Sequence, residues 1–503
     1  MGEEWHEIPR RGCASLGHRS QRPAVSEPEG LPLSAVVEPA PARAGFWALV
    51  RESLAGSRRD LTAEPLNRAI LLLAVPMVLE MVMESIFAVS DIFWVSKLGP
   101  DAVSVGVCTE SLMTIIYTLA MGLAMGTGAV VARRTGAKDP EGAARGAVQA
   151  IVLGTIAAGA VGLVGAVFGT RLMALMGAPR GALAIGAAYP RVMVGGSVTV
   201  LLLFVINAAF RGAGDASITM RTLWLANGIN IVLGPCLIFG WGPLPRLGVT
   251  GAAIATTIGR GVGVLYQLRA LARGRGRLRV RRAHLVLDGA VQRTILRLSR
   301  SGTVQMFIGM ASWIVLVRIV SRFGANVIAG YGIAFRVVMF ALLPAWGLGN
   351  AAATLVGQNL GAKRPERAEQ AVWRAAFYNF VFLGGVGLVL AIFASDVVRL
   401  FSPVPEVVVA GGRCLRIVSA GFLFYAYGMV VTQAFNGAGD TRTPMLINLI
   451  CFWVWEIPIA YLLAGPAGLG PTGVFFAIAS AFSLVAVLGV ALFRRGRWKS
   501  VQV

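Results

Sequence analysis

From Leu66 to Phe493 the chain is a succession of long apolar segments divided by short basic loops, and this limits its fold more than any motif does. We read twelve spans, at roughly 66–97, 101–132, 143–169, 183–210, 219–240, 248–271, 294–321, 325–357, 368–394, 407–435, 443–464 and 470–493. A bilayer core about 30 Å thick takes about 20 apolar residues in helical form, because nothing there can satisfy a bare peptide group except the helix itself. Several spans exceed 25 residues, so tilted helices that protrude past the bilayer are expected. The fold class expected is an all-α polytopic membrane protein. A composition of 56% hydrophobic and 14% charged residues over 503 positions agrees with that and disagrees with a soluble protein of this size.

The net charge of +22 does not point to nucleic acid, since the basic residues fall in clusters between the spans. Arg133, Arg134, Lys138 and Arg145 follow the second span, Lys363, Arg364, Arg367 and Arg374 follow the eighth, and Arg494, Arg495, Arg497 and Lys499 close the chain. The run RGRGRLRVRR at 273–282 lies between the sixth and seventh. By the positive-inside rule both termini and this linker are expected in the cytoplasm, the linker beside anionic lipid, in the plasma membrane of the cell. Residues 1 to about 45 have no apolar core of signal-peptide length and read as a disordered tail, while Phe46 to Gly56 reads either as a short surface helix or as a linker. No C-x-x-C pair occurs, the three histidines lie outside the spans, and no lysine follows a glycine, so neither a metal centre, a haem nor a P-loop is expected. No cofactor and no enzymatic activity are expected.

An internal repeat organises the spans. Gly136-Ala137-Lys138 recurs as Gly361-Ala362-Lys363, and Gly212 to Asp215 recurs as Gly437 to Asp440, both 225 residues on. The same shift carries Glu80 onto Gln305 and Gly99 onto Gly324. Six spans per repeat is an even number, so the halves enter the membrane alike and are related by a pseudo-two-fold axis along its normal. The expected organisation is a tail over 1–60, a six-helix lobe over 61–272, a basic linker over 273–293, a second six-helix lobe over 294–494 and a tail over 495–503. Binding between the lobes, with alternating access by rocking, suits such symmetry.

The first span carries Glu80, Glu84 and Asp91. At about 100° per residue they fall within roughly 40° of one another around the helix. That face cannot meet lipid, where each charge costs about 2.5–3.5 kcal/mol. It either pairs with buried arginines or lines a wet cavity for protons or cations. Pro76, one turn before Glu80, predisposes the helix to bend there. Glu110 is placed about 13 Å along the second span, also at membrane depth. Asn227 and Asn230 share a face of the fifth span, suited either to the acids or to interhelical hydrogen bonds. In the second half Gln305 stands where Glu80 stands in the first, Glu456 is the one clearly intramembrane acid, and Arg336 either neutralises it or shapes an anion site. Met306, Met310, Trp313, Met339 and Phe340 offer a soft substrate surface or ordinary packing. Asp215 and Asp440, in the G-A-G-D turns, are read as caps of the helices that follow.

With these residues in place, the chain resembles the multidrug and toxic compound extrusion (MATE) family of secondary transporters from about Leu61 to Arg494. The carriers are Pro76 with Ser90-Asp91 ahead of Leu98-Gly99, the paired G-A-G-D loops, NIVLGPCLIFG at 230–240, GVTGAAIAT at 248–256 and LVGQNLGA at 355–362. The resemblance implies export of amphipathic, often cationic compounds driven by inward H⁺ or Na⁺. It implies Asp91 as a coupling-cation ligand, Asn230 as part of that site, and bending at Pro76 linked to protonation of Asp91. Many members carry an aspartate where this chain has Gly234, and its loss favours protons over Na⁺. The expected partners are a small-molecule substrate and membrane lipid, with the protein a monomer. A lipid or lipid-linked-sugar flippase of the same superfamily is the alternative, and it would require a strongly cationic cavity. An enzyme such as a prenyl transferase would need acid-rich loops for Mg²⁺, where Asp215 and Asp440 are single acids, and a passive channel suits rocking lobes poorly.

Overall fold

The computed structural model describes residues 45–503 except 58, 177–180, 182, 184, 185 and 275. The tail expected over 1 to about 45 lies outside the described residues, apart from Gly45. Phe46 to Gly56 resolves in favour of a helix, α1 (Phe46–Ala55). The long helices of the first half are α2 (Leu66–Ser96), α3 (Pro100–Gly136), α4 (Pro140–Leu175), the pair α5 (Tyr189–Gly195) and α6 (Ser197–Ala213), α7 (Ala216–Phe239) and α8 (Val249–Arg273). Those of the second half are α9 (Gly289–Val320), α10 (Ala325–Gly361), α11 (Pro365–Ile392) with the short α12 (Ala394–Arg399), and the pair α13 (Pro405–Ala420) and α14 (Phe422–Ala438). Next, α15 (Arg442–Asn448) continues through a π-helical stretch (Leu449–Glu456) into α16 (Ile457–Ala464), and α17 (Pro471–Arg494) follows.

Among the described residues ten helices are long and apolar enough to cross a membrane, or eleven if α13 and α14, bent by 56°, count as one span. The sixth expected span is present as α8, whose 25 residues include Arg260 and a run of glycines and threonines that lower its apolarity. The protein is thus a nearly all-helical, multi-pass membrane protein.

The repeat seen in the sequence reappears as reciprocal packing. A Cβ on Gly136 would lie 1.9 Å from the Gln358 carbonyl oxygen, and one on Gly361 would lie 2.1 Å from the Arg133 carbonyl oxygen. Shifting the first pair by 225 residues and exchanging its members gives the second, which is what a two-fold relation requires. Ala132 and Gly357 are each other's counterparts under that shift, and they touch, so they lie on the axis. Only glycine lets α3 and α10 approach this closely. The first helix of each half also crosses over. Ile70, Leu73 and Met77 of α2 share a cluster with Leu355, Val372 and Phe435, while Ile295 and Leu298 of α9 share one with Met113, Leu123 and Val130. Residues 316–482 and residues 131–280 otherwise supply separate cores.

The basic end of the bundle is bound up by the segments that flank the spans. The described residues before α2 are clamped from several sides: Arg277 donates to the Ser57 and Arg59 carbonyls, Arg364 to Thr62, and Arg367 to Leu61 and Glu64. The expected tail over 495–503 folds back, with Trp498 buried and stacked on Phe493 at 4.6 Å. The G-A-G-D turns behave differently from one another. Asp440 accepts from the Thr443 amide and hydroxyl at 3.1 and 2.6 Å, as a cap does, whereas Asp215 accepts the Arg277 amide at 2.5 Å and so ties the linker to α7.

Candidate functional site

The acids of α2 fall into two environments. Glu80 is buried, accepts from the Thr219 hydroxyl at 2.9 Å and lies 3.7 Å from the Arg211 guanidinium. Its alignment with the other two acids is real, but its partners make it an interhelical tie between α2, α6 and α7. Glu84, half-buried, accepts from Asn227 Nδ2 at 2.9 Å. Asp91, also half-buried, stands within electrostatic reach of Glu110 on α3 and Arg260 on α8. Glu110 is exposed, and a carboxylate exposed on a membrane-spanning helix needs a wet cleft beside it.

Asn230 donates to the Thr256 hydroxyl at 2.6 Å while Asn227 donates to Glu84, so the two asparagines of α7 hold different partners. Gly234 lies a turn further on α7, and a Cβ there would meet nothing nearer than Asn230 Oδ1 at 3.9 Å. The carboxylate missing at this position therefore leaves open space.

Sequence reasoning misses Arg260, Tyr117, Thr256 and Tyr189. Arg260 donates through Nη2 to the Tyr117 hydroxyl at 2.9 Å and is within electrostatic reach of Glu84 and Asp91. Tyr189, buried, borders the same group. The available signal was an arginine in the middle of an apolar span, as costly there as an acid and as much in need of partners.

The second half answers differently. Arg336, exposed on α10, has Glu110 rather than Glu456 within its electrostatic reach, so of its two readings, neutralising Glu456 or shaping an anion site, the first finds no support. Glu456 is buried near Tyr331, Tyr425 and Cys451. Gln305 is buried as well. Trp313 is 39% exposed and stacks on Phe335 at 4.8 Å, while Met306, Met310, Met339 and Phe340 are half-buried. Pro76 is buried within α2, which runs through it as one helix. A cavity of about 630 Å³ lies elsewhere, at the basic end between Arg133, Lys363 and Lys499, away from the acids.

The family model for MatE matches residues 76–236 and 303–462, one segment in each half and together well over half the chain. The chain belongs to the MatE family. This is a family of membrane transporters and not of enzymes. Among curated relatives it is 26% identical over 441 residues to the probable multidrug resistance protein YoeA of Bacillus subtilis, covering 87% of this chain and 95% of the relative. Its fold matches an outward-facing conformation of a multidrug resistance MATE family transporter with a TM-score of 0.81 and 26% identity, covering 87% and 97% of the two chains. It also matches a Pyrococcus furiosus transporter of the wider superfamily, described as having a binding pocket of reversed polarity suggesting a different function. There the TM-score is 0.82 and the identity 26%, with 88% and 98% covered. The fold is thus shared by pockets of opposite polarity, and function must be argued from the charges this chain carries.

Proposed function

We propose that this MatE protein is a secondary antiporter that exports amphipathic, often cationic small molecules in exchange for H⁺ by alternating access between two six-helix lobes. The observation that carries this is the placement of Glu84, Asp91 and Glu110, three carboxylates at membrane depth of which none has an ion pair within 4.0 Å among those described. An intramembrane acid left without a fixed cation is available to a mobile one, a proton or the charged end of a substrate. Competition for the same oxygens couples the two flows. Asp91 is the coupling group, Glu84 and Glu110 are the other acids over which proton and substrate compete, and Pro76 is where α2 bends. The lobes span residues 61–272 and 294–494, with both termini and the linker cytoplasmic. Na⁺ coupling has less support, because Gly234 supplies no ligand.

Arg336 is the observation on the side of a lipid or lipid-linked-sugar flippase, since an exposed cation would suit a diphosphate. One exposed arginine facing Glu110 does not make a cationic cavity, and the antiporter is preferred.

The test is efflux of a fluorescent lipophilic cation from liposomes holding the purified protein, with pH and Na⁺ gradients imposed separately. Transport under a pH gradient alone is the expected result. If neither gradient moves any cation, the antiporter reading fails and lipid flipping is the assay to run.

A further inference from the structure

The cavity of about 630 Å³ at the basic end has no part in the transport cycle above, and both halves contribute to its walls. Arg133 near the end of α3, Lys363 in the turn after α10, Pro365 at the start of α11 and the chain's last residues from Lys499 onward line it. Its charges are unequally answered. Lys499 pairs with Glu369 at 2.5 Å. The Arg133 guanidinium donates to the Val501 carbonyl, a neutral acceptor, and neither Arg133 nor Lys363 has an ion pair within 4.0 Å among the described residues. The terminal carboxylate of Val503 also borders the cavity, so three cations stand against two carboxylates. The repeat sharpens the contrast. Lys138, the counterpart of Lys363, holds Asp60 at 3.8 Å. Both lysines sit in a left-handed backbone, with φ of 58° and 57°, which glycine adopts at less cost, yet both turns keep a cation there. In the first half the chain itself supplies the anion; in the second the lysine lines the cavity.

We propose that this cavity is a binding site for a phosphate group, carried by an anionic lipid or free in solution, with Arg133, Lys363 and Lys499 as its cations. A phosphate offers enough oxygens for an arginine fork and for lysines that meet it as point charges, whereas a carboxylate offers two. Basic pockets between membrane-spanning helices receive lipid phosphates in this way. Because Arg133 belongs to the first half and Lys363 to the second, a bound phosphate joins the halves at this end. The site lies away from the acids at membrane depth and holds a phosphate without carrying it across, so it is distinct from the flippase reading. It is equally independent of the coupling role given to Asp91.

The experiment is melting of the purified full-length protein in detergent, in two arms. One replaces chloride by inorganic phosphate at equal ionic strength; the other adds phosphatidylglycerol or, at the same content, phosphatidylcholine. A rise of about 2 °C with phosphate or with phosphatidylglycerol, and none with phosphatidylcholine, is the expected result, and the arm that shows it names the source of the phosphate. Lys363→Gln is expected to need about ten times the concentration for the same rise, since it removes one charged contact. Lys138→Gln, which alters the net charge equally but lies outside the cavity, is expected to respond as the natural chain does. Should Lys363→Gln not fold, Arg133→Gln is expected to show the same loss. No rise in either arm overturns the proposal, as does a response that Lys363→Gln and Lys138→Gln keep or lose alike.

Discussion

At the residue scale, Glu80 ties helices through Thr219 and Arg211, whereas Glu84, Asp91 and Glu110 have no ion pair within 4.0 Å among the described residues. Asp91→Asn is expected to abolish gradient-driven efflux while membrane insertion and melting stay within the range of ordinary variants. Glu456→Gln, in the other half, is expected to keep most of the rate. Equal loss in both variants, measured in the same liposomes, would remove the assignment of coupling to the first half. Glu80 answers to stability: Arg211→Met leaves its carboxylate buried without a cation and is expected to cost about 3 kcal/mol, with Glu80→Gln costing less. Thermal melting of the two variants checks the order. The spacing of Glu80, Glu84 and Asp91 was legible in the sequence because a helix repeats every 3.6 residues. Which acid had met an arginine was not, because Arg211 and Arg260 lie over 110 residues away from α2 in the chain, and only tertiary packing brings them near.

At the element scale, the short segment between α1 and α2 shows how the basic end is held. Asp60 accepts from the Thr62 hydroxyl at 2.6 Å and amide at 2.9 Å, with Lys138 at 3.8 Å. Burial works against its ionisation, but the Thr62 bonds together with Lys138 and Arg277 outweigh it and hold the carboxyl below the ordinary aspartate range. A carboxyl whose folded pKa is depressed stabilises the fold above its unfolded value and loses that contribution as pH falls through the folded one. Asp60→Asn is therefore expected to lower the melting temperature at pH 7, with the difference from the natural chain closing as the pH falls below the ordinary aspartate range and through the depressed folded value. A difference that persists there would mean the segment is held by the arginine-to-carbonyl bonds alone. Spans were readable as elements because hydropathy and length report them directly. The packing of Ser57, Arg59, Leu61, Thr62 and Glu64 was not, because backbone carbonyls receiving Arg277, Arg364 and Arg367 leave no mark in a sequence.

At the scale of the whole molecule, the 225-residue repeat predicts two like halves, and Gly136, Gly361 and the Ala132–Gly357 contact show how they meet at the basic end. The repeat cannot announce where its own symmetry is broken. The chain's last residues break it: Arg497–Ser500 turns back from α17, Lys499 pairs with Glu369 at 2.5 Å, and Arg133 of the first half donates to the Val501 carbonyl. Val503 then packs on the cluster built from α3, α4, α6 and α9. Anchored on one half and bonded to the other, this strap opposes separation of the halves at that end. A hydrogen bond from a charged donor contributes about 1.5–3 kcal/mol, so losing it shifts the ratio of open to closed basic ends by about tenfold or more. Arg145 and Gln370 are exposed counterparts under the repeat and suit a pair of spin labels, placed after the native cysteines are replaced. Arg133→Ala, and separately removal of residues 501–503, is expected to broaden the distance between the labels toward longer values, and the two changes together are expected to add little. Because Trp498 stays buried in both variants, the comparison spares the anchor. Unchanged distances in both would mean that the glycine contacts at the axis close this end unaided.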